Sequence, residues 1–441
     1  MNCMVKKLSD WNTRFVLWVT ALTVFSPSLL WAETLEMPSS WTPVGSGARA
    51  LGMGGAFIAV ADDATAASWN PGGLTQLEMP EESVVFSSFR RDEDNSFDTN
   101  PEANGSQVVS EDDLNYFSLA YPFSFHNYNM VVSINHQHLI DFYRKMNISL
   151  DETAGDFSQH RTVNESHEGQ ISALGLAYAV RLKPDFSLGL TLNFWEDFLG
   201  NNNGWHTTYK DVKQVSLLNF SSDFRTTRVT DYSFSGLNAN IGFLWNATPQ
   251  LTIGSVLKTP FKADVEKTVS TWTSSSGTAT SREDLTINMP ASYGLGAAYR
   301  FSDSFTLSAD YYWTNWPLFE QTNADGTVIS PITNQPVNEA DIDSTHQLRL
   351  GGEYLFMKPG YIVPLRGGIF WEQAPAISHP DNFYGFSIGT GAIFNTFVFD
   401  IAYQMRSGHN VGRSIHRDFA FSQDTVEHTI YTSIIIYFGA S

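Results

Sequence analysis

Five ionisable residues, Asp310, Arg349, Glu353, Arg366 and Asp400, interrupt segments that otherwise alternate apolar with small or polar residues. A guanidinium meets a carboxylate through two parallel hydrogen bonds. The set therefore has two chemical readings: a paired network that braces a wall, or a site where one arginine holds a substrate carboxylate. Other chemistry-bearing groups give less. Asp92, Glu93, Asp94, Asn95 and Asp98 offer oxygen ligands for a divalent cation, but the glycine and terminal glutamate spacing of a calcium loop is missing, so a solvated acidic loop is expected. Gly45-x-Gly47-x-x-Ala50 matches a dinucleotide fingerprint loosely, yet Trp41-Thr42-Pro43 precedes it instead of a buried strand, and no βαβ rhythm follows. The 11 histidines are scattered and the one cysteine is Cys3. No H-E-x-x-H or phosphate-loop pattern occurs. No catalytic residue, metal site or cofactor is expected.

The elements that carry the five charges are strands. Fourteen segments fit: 82–91, 113–122, 128–147, 169–183, 186–200, 231–247, 250–262, 284–300, 304–319, 343–357, 361–373, 382–394, 396–406 and 426–439. Each is long enough to cross a bilayer at a tilt. Period two is plain within them. Phe186, Leu188, Leu190, Leu192 and Phe194 share one face; Leu237, Ala239, Ile241, Phe243 and Trp245 share another; Phe305, Leu307, Ala309, Tyr311 and Trp313 a third. Connections alternate between short ones, such as Lys183-Pro184-Asp185 and Thr248-Pro249, and long ones at 92–112, 148–168, 201–230, 263–283, 320–342, 374–381 and 407–425. Tight periplasmic turns and long external loops mark an outer-membrane barrel, and an even strand count leaves both ends on the periplasmic side. Trp245, Tyr299, Trp313 and Trp316 fall near segment ends, where aromatic girdles sit. A large soluble β-sandwich or β-helix would share the alternation without needing two loop classes or girdles. A charge facing lipid costs about 2–4 kcal/mol at the midplane, so the five charges are assigned to the lumen.

Composition agrees. The chain has 441 residues, 14% aromatic and 16% charged, against about 25% charged in ordinary soluble proteins. A net charge of −20 argues against nucleic-acid binding. Lys6, Lys7 and Arg14 flank the apolar run Phe15–Phe25, and Ala32 ends a predicted signal peptide, 1–32. Residues 33–81 then form a predicted plug or hatch, and 82–441 the barrel. The stretch Gly47–Leu74 is small-residue rich, holds Gly54, Gly55, Asp62 and Asp63, and closes on Asn70-Pro71-Gly72. Small side chains allow close packing inside a lumen, and Asp62 and Asp63 are expected to pair with Arg349 or Arg366. His136-Gln137-His138 breaks the alternation of the third segment, as either a kink or ordinary surface-zone polarity.

Three motifs carry a resemblance. The first is the Gly47–Leu74 stretch with Asn70-Pro71, where Gly72 stands in place of the usual alanine. The second is Leu257-Lys258-Thr259-Pro260-Phe261 followed by Met289–Trp316. The third is Leu348–Phe356 with Pro364–Pro375. Together they resemble the FadL-type outer-membrane transporters of long-chain fatty acids and other hydrophobic compounds. The resemblance implies an all-β barrel of about 14 strands, an N-terminal hatch, and passive uptake with release sideways into the membrane. It also implies a hydrophobic small-molecule substrate, contact with outer-membrane lipid and lipopolysaccharide, and insertion by the barrel assembly machinery. The hatch is similar as well to that of PorV-like barrels, which serve as shuttles in protein secretion; that is the alternative function. The chain's end, Tyr437-Phe438 followed by Gly439-Ala440-Ser441, departs from the terminal aromatic of such barrels.

Overall fold

Alternation at period two can hide a polar face only if the sheet closes, and in the computed structural model it does. The structure describes residues 45–197, 203–218, 220–415 and 420–439. The predicted signal peptide and residues 33–44 of the predicted hatch lie outside the described residues.

Fourteen antiparallel staves form a closed barrel. In chain order the strands are β1 (Glu81–Phe97), β2 (Gly105–Phe125), β3 (Tyr128–Asp141), β4 (Arg144–Ala154), β5 (Phe157–Lys183), β6 (Phe186–Trp195), β7 (Gly204–Leu217), β8 (Phe220–Asn246), β9 (Leu251–Lys258) and β10 (Phe261–Thr273). Next come β11 (Gly277–Met289), β12 (Ser292–Ser302), β13 (Phe305–Thr314), β14 (Glu320–Thr322), β15 (Val328–Ile329), β16 (Thr345–Lys358), β17 (Tyr361–Ala374), β18 (Asp381–Ile393), β19 (Phe397–Val411) and β20 (Phe421–Tyr437). Closure is by β20 on β1, in register from Glu81↔Tyr437 to Phe97↔Phe421. A closed sheet leaves no unpaired edge in lipid.

Some staves are two strands end to end: β3 with β4, β6 with β7, β9 with β10, β11 with β12, and β13 with β14. Pro260 and Pro290 stand at two of these breaks. A proline has no N–H to donate to a ladder.

The predicted long loops need correction. Residues 92–112, 148–168, 201–230 and 263–283 are mostly strand, as the hairpins β1–β2, β4–β5, β7–β8 and β10–β11 continue well past the expected boundaries. Their serine, threonine and charged residues read as loop. They are the two wetted faces of hairpins standing beyond the bilayer. The acidic loop is corrected with them. Asp92, Glu93, Asp94 and Asn95 lie in β1 and point to alternate faces, with Arg90 paired to Asp92 at 2.7 Å and Arg91 to Glu93 at 2.5 Å; Asp98 lies in the turn beyond.

Outward positions carry the apolar surface. Leu188, Leu190, Leu192, Leu237, Ile241, Leu348, Leu350, Ile388 and Ile434 are all exposed. Trp245 and Tyr299 are exposed near stave ends as expected of a girdle, but Trp316 is buried and donates to Thr345 Oγ1 at 2.8 Å. It belongs to a short 3-10 turn, Trp316–Leu318, that folds inward.

Candidate functional site: the hatch and its seat in the lumen

Residues 45–80 fill the lumen with short pieces: α1 (Ala48–Gly52), α2 (Ala66–Trp69) and a 3-10 turn, Pro71–Gln76. No piece is long enough to stand alone as a helix. What holds them is the wall. Met53, Phe57, Ile58, Trp69 and Leu74 are fully buried and share one core with wall residues such as Val131, Val256 and Tyr312.

Close approach depends on glycine on both sides. Gly54 and Gly55 have φ of +67° and +73°, conformations that L side chains rarely adopt. A side chain on Gly368 would run into the backbone of Met53 and Gly54, and one on Gly351 into Met53 O. On the opposite wall Gly242 gives room to Asn70 and Pro71.

Polar contacts fix the orientation. Asn70 caps the 3-10 turn by accepting from Gly72 N at 3.1 Å, and its Nδ2 donates to Ile58 O at 2.9 Å and to Phe243 O of β8 at 2.8 Å. One side chain thus ties two hatch segments to the wall. Pro71 starts the turn, where no N–H is needed. Asp310 Oδ2 accepts from Phe57 N at 2.7 Å and Ile58 N at 2.8 Å. Ser387 Oγ accepts from Gly54 N at 2.7 Å and donates to Gly52 O at 3.0 Å, while Arg349 Nη1 donates to Gly54 O at 2.8 Å. On the far side Thr191, Ser187, Arg181 and Tyr116 donate to hatch carbonyls.

The five predicted lumen charges all face inward and are buried. They do not form one group. Glu353, Arg366 and Asp400 are contiguous: Arg366 Nε lies 2.6 Å from Glu353 Oε2, and its Nη1 lies 2.6 Å from Asp400 Oδ1. Arg349 belongs to a second chain, paired with Glu372, which also meets Arg406 Nε at 2.5 Å; Arg406 reaches Glu427 at 3.1 Å. Asp310 joins neither, and its Oδ2 serves the hatch backbone.

The expected pairing of Asp62 and Asp63 is corrected. Asp62 pairs with Arg49, within the hatch, and Arg49 extends to Glu353 of β16 with Nη2–Oε1 at 2.9 Å and Nε–Oε2 at 3.1 Å. Asp63 turns back to Thr65, accepting from its N at 2.9 Å and its Oγ1 at 2.5 Å. Arg49 is in α1 and already neighbours the acidic pair, so it reaches them at less cost than a wall arginine. Glu372, Arg406 and Glu427 were missed, though Glu372 follows Arg366 at an even spacing and Arg406 follows Asp400 likewise, so period two places each inside.

A wall whose every stave is paired, an apolar outer band and a lumen closed by a seated N-terminal segment define a hatch-plugged outer-membrane barrel. The model of the outer membrane protein transport protein family (OMPP1/FadL/TodX) matches residues 42–411. The chain belongs to that family: it is an outer-membrane channel for hydrophobic compounds, from a Gram-negative bacterium. Among solved structures it is similar to a Pseudomonas aeruginosa FadL homologue, at 14% identity and a TM-score of 0.59, covering 89% of this chain and 98% of that one. The Pseudomonas putida toluene transporter TodX gives 12% identity and a TM-score of 0.55, covering 89% and 98%. The CymD monoaromatic hydrocarbon channel gives 16% identity and a TM-score of 0.53, covering 90% and 98%. No curated protein matches the chain.

Proposed function

We propose that this protein takes up long-chain fatty acids passively and releases them sideways through its wall. A seated hatch leaves no straight aqueous path, and each CH₂ transferred to an apolar route gains about 0.8 kcal/mol. The observation that carries the reading is where the β2–β3 ladder stops. Its last pair is Tyr116↔Gln137, although β2 continues to Gly105 and β3 to Asp141. Leu114 and its partner Phe86 on β1, just beyond that point, are still exposed apolar residues. Past Gln137 side chains span the two strands: His138 Nδ1 lies 2.5 Å from Asp113, and Asn115 Nδ2 donates to His138 O at 3.5 Å. A seam closed by side chains opens at lower cost than a backbone ladder, since each hydrogen bond is worth about 0.5–1.5 kcal/mol net. The sequence break at His136-Gln137-His138 marks this seam. In this reading the charge chains of β16–β20 brace hatch and wall, lipopolysaccharide and lipid surround the apolar band, and the barrel assembly machinery inserts the chain.

The test is uptake of labelled oleate by cells that lack their own fatty-acid transporter and express this protein, with a small polar dye as control. Oleate entry without dye entry is expected. Dye entry would mean an open pore. Entry of neither, with the barrel inserted, would overturn the fatty-acid reading, leaving other hydrophobic compounds as the substrate or the PorV-like secretion role.

A further inference from the structure

The ladders of seven adjacent staves are interrupted side by side. The β3–β5 ladder ends at Asp141↔Gln170, and the β4–β5 ladder starts at Arg144↔His167. The β5–β6 ladder ends at Leu174↔Phe194, and β5–β7 starts at Gln170↔Gly204. The β6–β8 ladder ends at Trp195↔Gly236, and β7–β8 starts at Gly204↔Ser233. β8 changes partner from β9 to β10 between Asn240 and Ser235. β12 gives way to β11 at Pro290, and β13 to β14 across the turn Trp316–Leu318. Each gap adjoins the next, so one line crosses half of the wall. The β1–β20 ladder, in the other half, runs from end to end without a gap.

The residues on this line suit a hinge, where a few positions absorb the change in backbone angle. Gly169 of β5 has φ of +126°, and Pro260 and Pro290 bring no N–H. Asn203 stands in for a ladder: its Oδ1 accepts from Ser172 N at 2.8 Å and its Nδ2 donates to Phe234 O at 3.1 Å.

Beyond the line lies an outer sheet: β4, residues 157–168 of β5, β7, residues 220–233 of β8, then β10, β11 and β14. No ladder joins its β4 edge to β2 among the described residues. Side chains seal that edge instead. Arg144, Met146 and Ile148 share one face of β4 and are buried. The Arg144 guanidinium lies over the Phe421 ring of β20 at 5.6 Å, and Phe421 packs on Phe97 of β1 at 5.1 Å. Arg91 of β1 donates from Nη2 to Tyr143 O at 3.4 Å. Higher up, β4 lies against the 3-10 turn Pro101–Ala103, where Glu102 stands beside the Asp151 backbone. At the foot of the edge Phe142 packs on Trp205 at 4.7 Å, and both are buried. An apolar path thus begins directly beneath a seam that only side chains hold.

We propose that this outer sheet is a flap that swings on the line of interrupted ladders, and that its β4 edge is the entrance by which an apolar solute passes from outside into the lumen. This rests on the transport reading above, and places the entrance above the exit seam on the same side of the barrel. Arg144, Met146 and Ile148 are the latch.

The test uses cysteines introduced into a chain whose one native cysteine is Cys3. In Glu102→Cys/Asp151→Cys a short bis-maleimide, applied to intact cells, ties β4 to the neighbouring turn. Cross-linking should bring oleate uptake down to background, while either single variant given the same reagent keeps wild-type uptake. In a second arm Met146→Cys meets a membrane-impermeant maleimide on intact cells. Met146 is 1% exposed, so a cysteine there reacts only when the edge lifts. It should label slowly but to completion, and adding Arg144→Met should speed labelling about two- to thirtyfold, the worth of a cation–π contact. Val256→Cys, equally buried but below the line, should stay inert. Heat-modifiable gel migration checks that each barrel is folded. Wild-type uptake by fully cross-linked protein, or a Met146→Cys as inert as Val256→Cys, would overturn the flap. A wild type that takes up no oleate while Met146→Cys labels would overturn the transport reading and leave the flap standing.

Discussion

Asp310→Leu should unseat the hatch without disturbing the barrel. The wild-type carboxylate sits at 3% exposure and its Oδ2 accepts two hatch N–H groups, at 2.7 and 2.8 Å. Leucine keeps the branched skeleton, with methyl groups bulkier than the two oxygens, and accepts nothing. Each buried N–H left without an acceptor costs about 1–3 kcal/mol, so the seated state loses about 2–6 kcal/mol. At 1.4 kcal/mol per tenfold, the unseated population rises by about 30-fold at the low end and beyond 10⁴-fold at the high end. Asp310→Asn keeps one oxygen acceptor and loses only the charge assistance, about 1–2 kcal/mol, so it should leak about tenfold more than wild type. The assay is polar-dye entry into cells, paired with limited proteolysis of the hatch in purified protein and heat-modifiable migration for the barrel. Folded Asp310→Leu with a hatch as protected as wild type, and no dye entry, would refute the claim that this wall carboxylate holds the plug.

Three further outcomes follow from the same seat. Gly368→Ala should raise dye entry, because its methyl group meets the Met53–Gly54 backbone and overpacking costs about 1–3 kcal/mol; neighbouring Gly367→Ala faces open space and should be silent in the same assay. Asn70→Ala removes both donors to Ile58 O and Phe243 O, and should speed hatch proteolysis. Asn70→Asp, which turns an anion towards those two carbonyls, should speed it more. Arg49→Met leaves Asp62 without its partner and Glu353 with Arg366 alone, and should loosen α1, read as faster hydrogen exchange at Ala48–Gly52 than anywhere else in the hatch.

How far the sequence could be read varied with the physics behind each signal. The apolar faces of Phe186–Phe194 and Leu237–Trp245 are the lipid-facing residues of β6 and β8, because the cost of polar groups in lipid enforces strict alternation there. Above the bilayer that pressure vanishes. Residues 148–168, and 204–217 with 220–230, lost their pattern, and only backbone pairing reveals them as strand. Asp310, Arg349, Glu353, Arg366 and Asp400 were legible as inward by period. Their partners were not, because pairing depends on stagger between staves, which no single segment encodes. The Asp62–Arg49 pair shows the same limit at short range: a short helix brings residue 49 to residue 62, and the sequence offered the wall arginines equally well.

The central claim is sideways release at the β2–β3 seam, and a reversible lock across it tests that claim most directly. Asn115 and His138 follow directly on Tyr116↔Gln137, and Asn115 Nδ2 reaches His138 O at 3.5 Å. Two cysteines bridge when their Cα atoms lie about 4.4–6.8 Å apart, and the Asn115–His138 contact makes this the first pair across the seam to try. The double variant Asn115→Cys/His138→Cys, in a chain whose one native cysteine is Cys3, should bind labelled oleate normally in detergent, take up little of it in cells when oxidised, and recover uptake on reduction. Uptake equal to wild type with the disulfide fully formed would show that substrate leaves by another route, and the account of this protein's wall would be wrong.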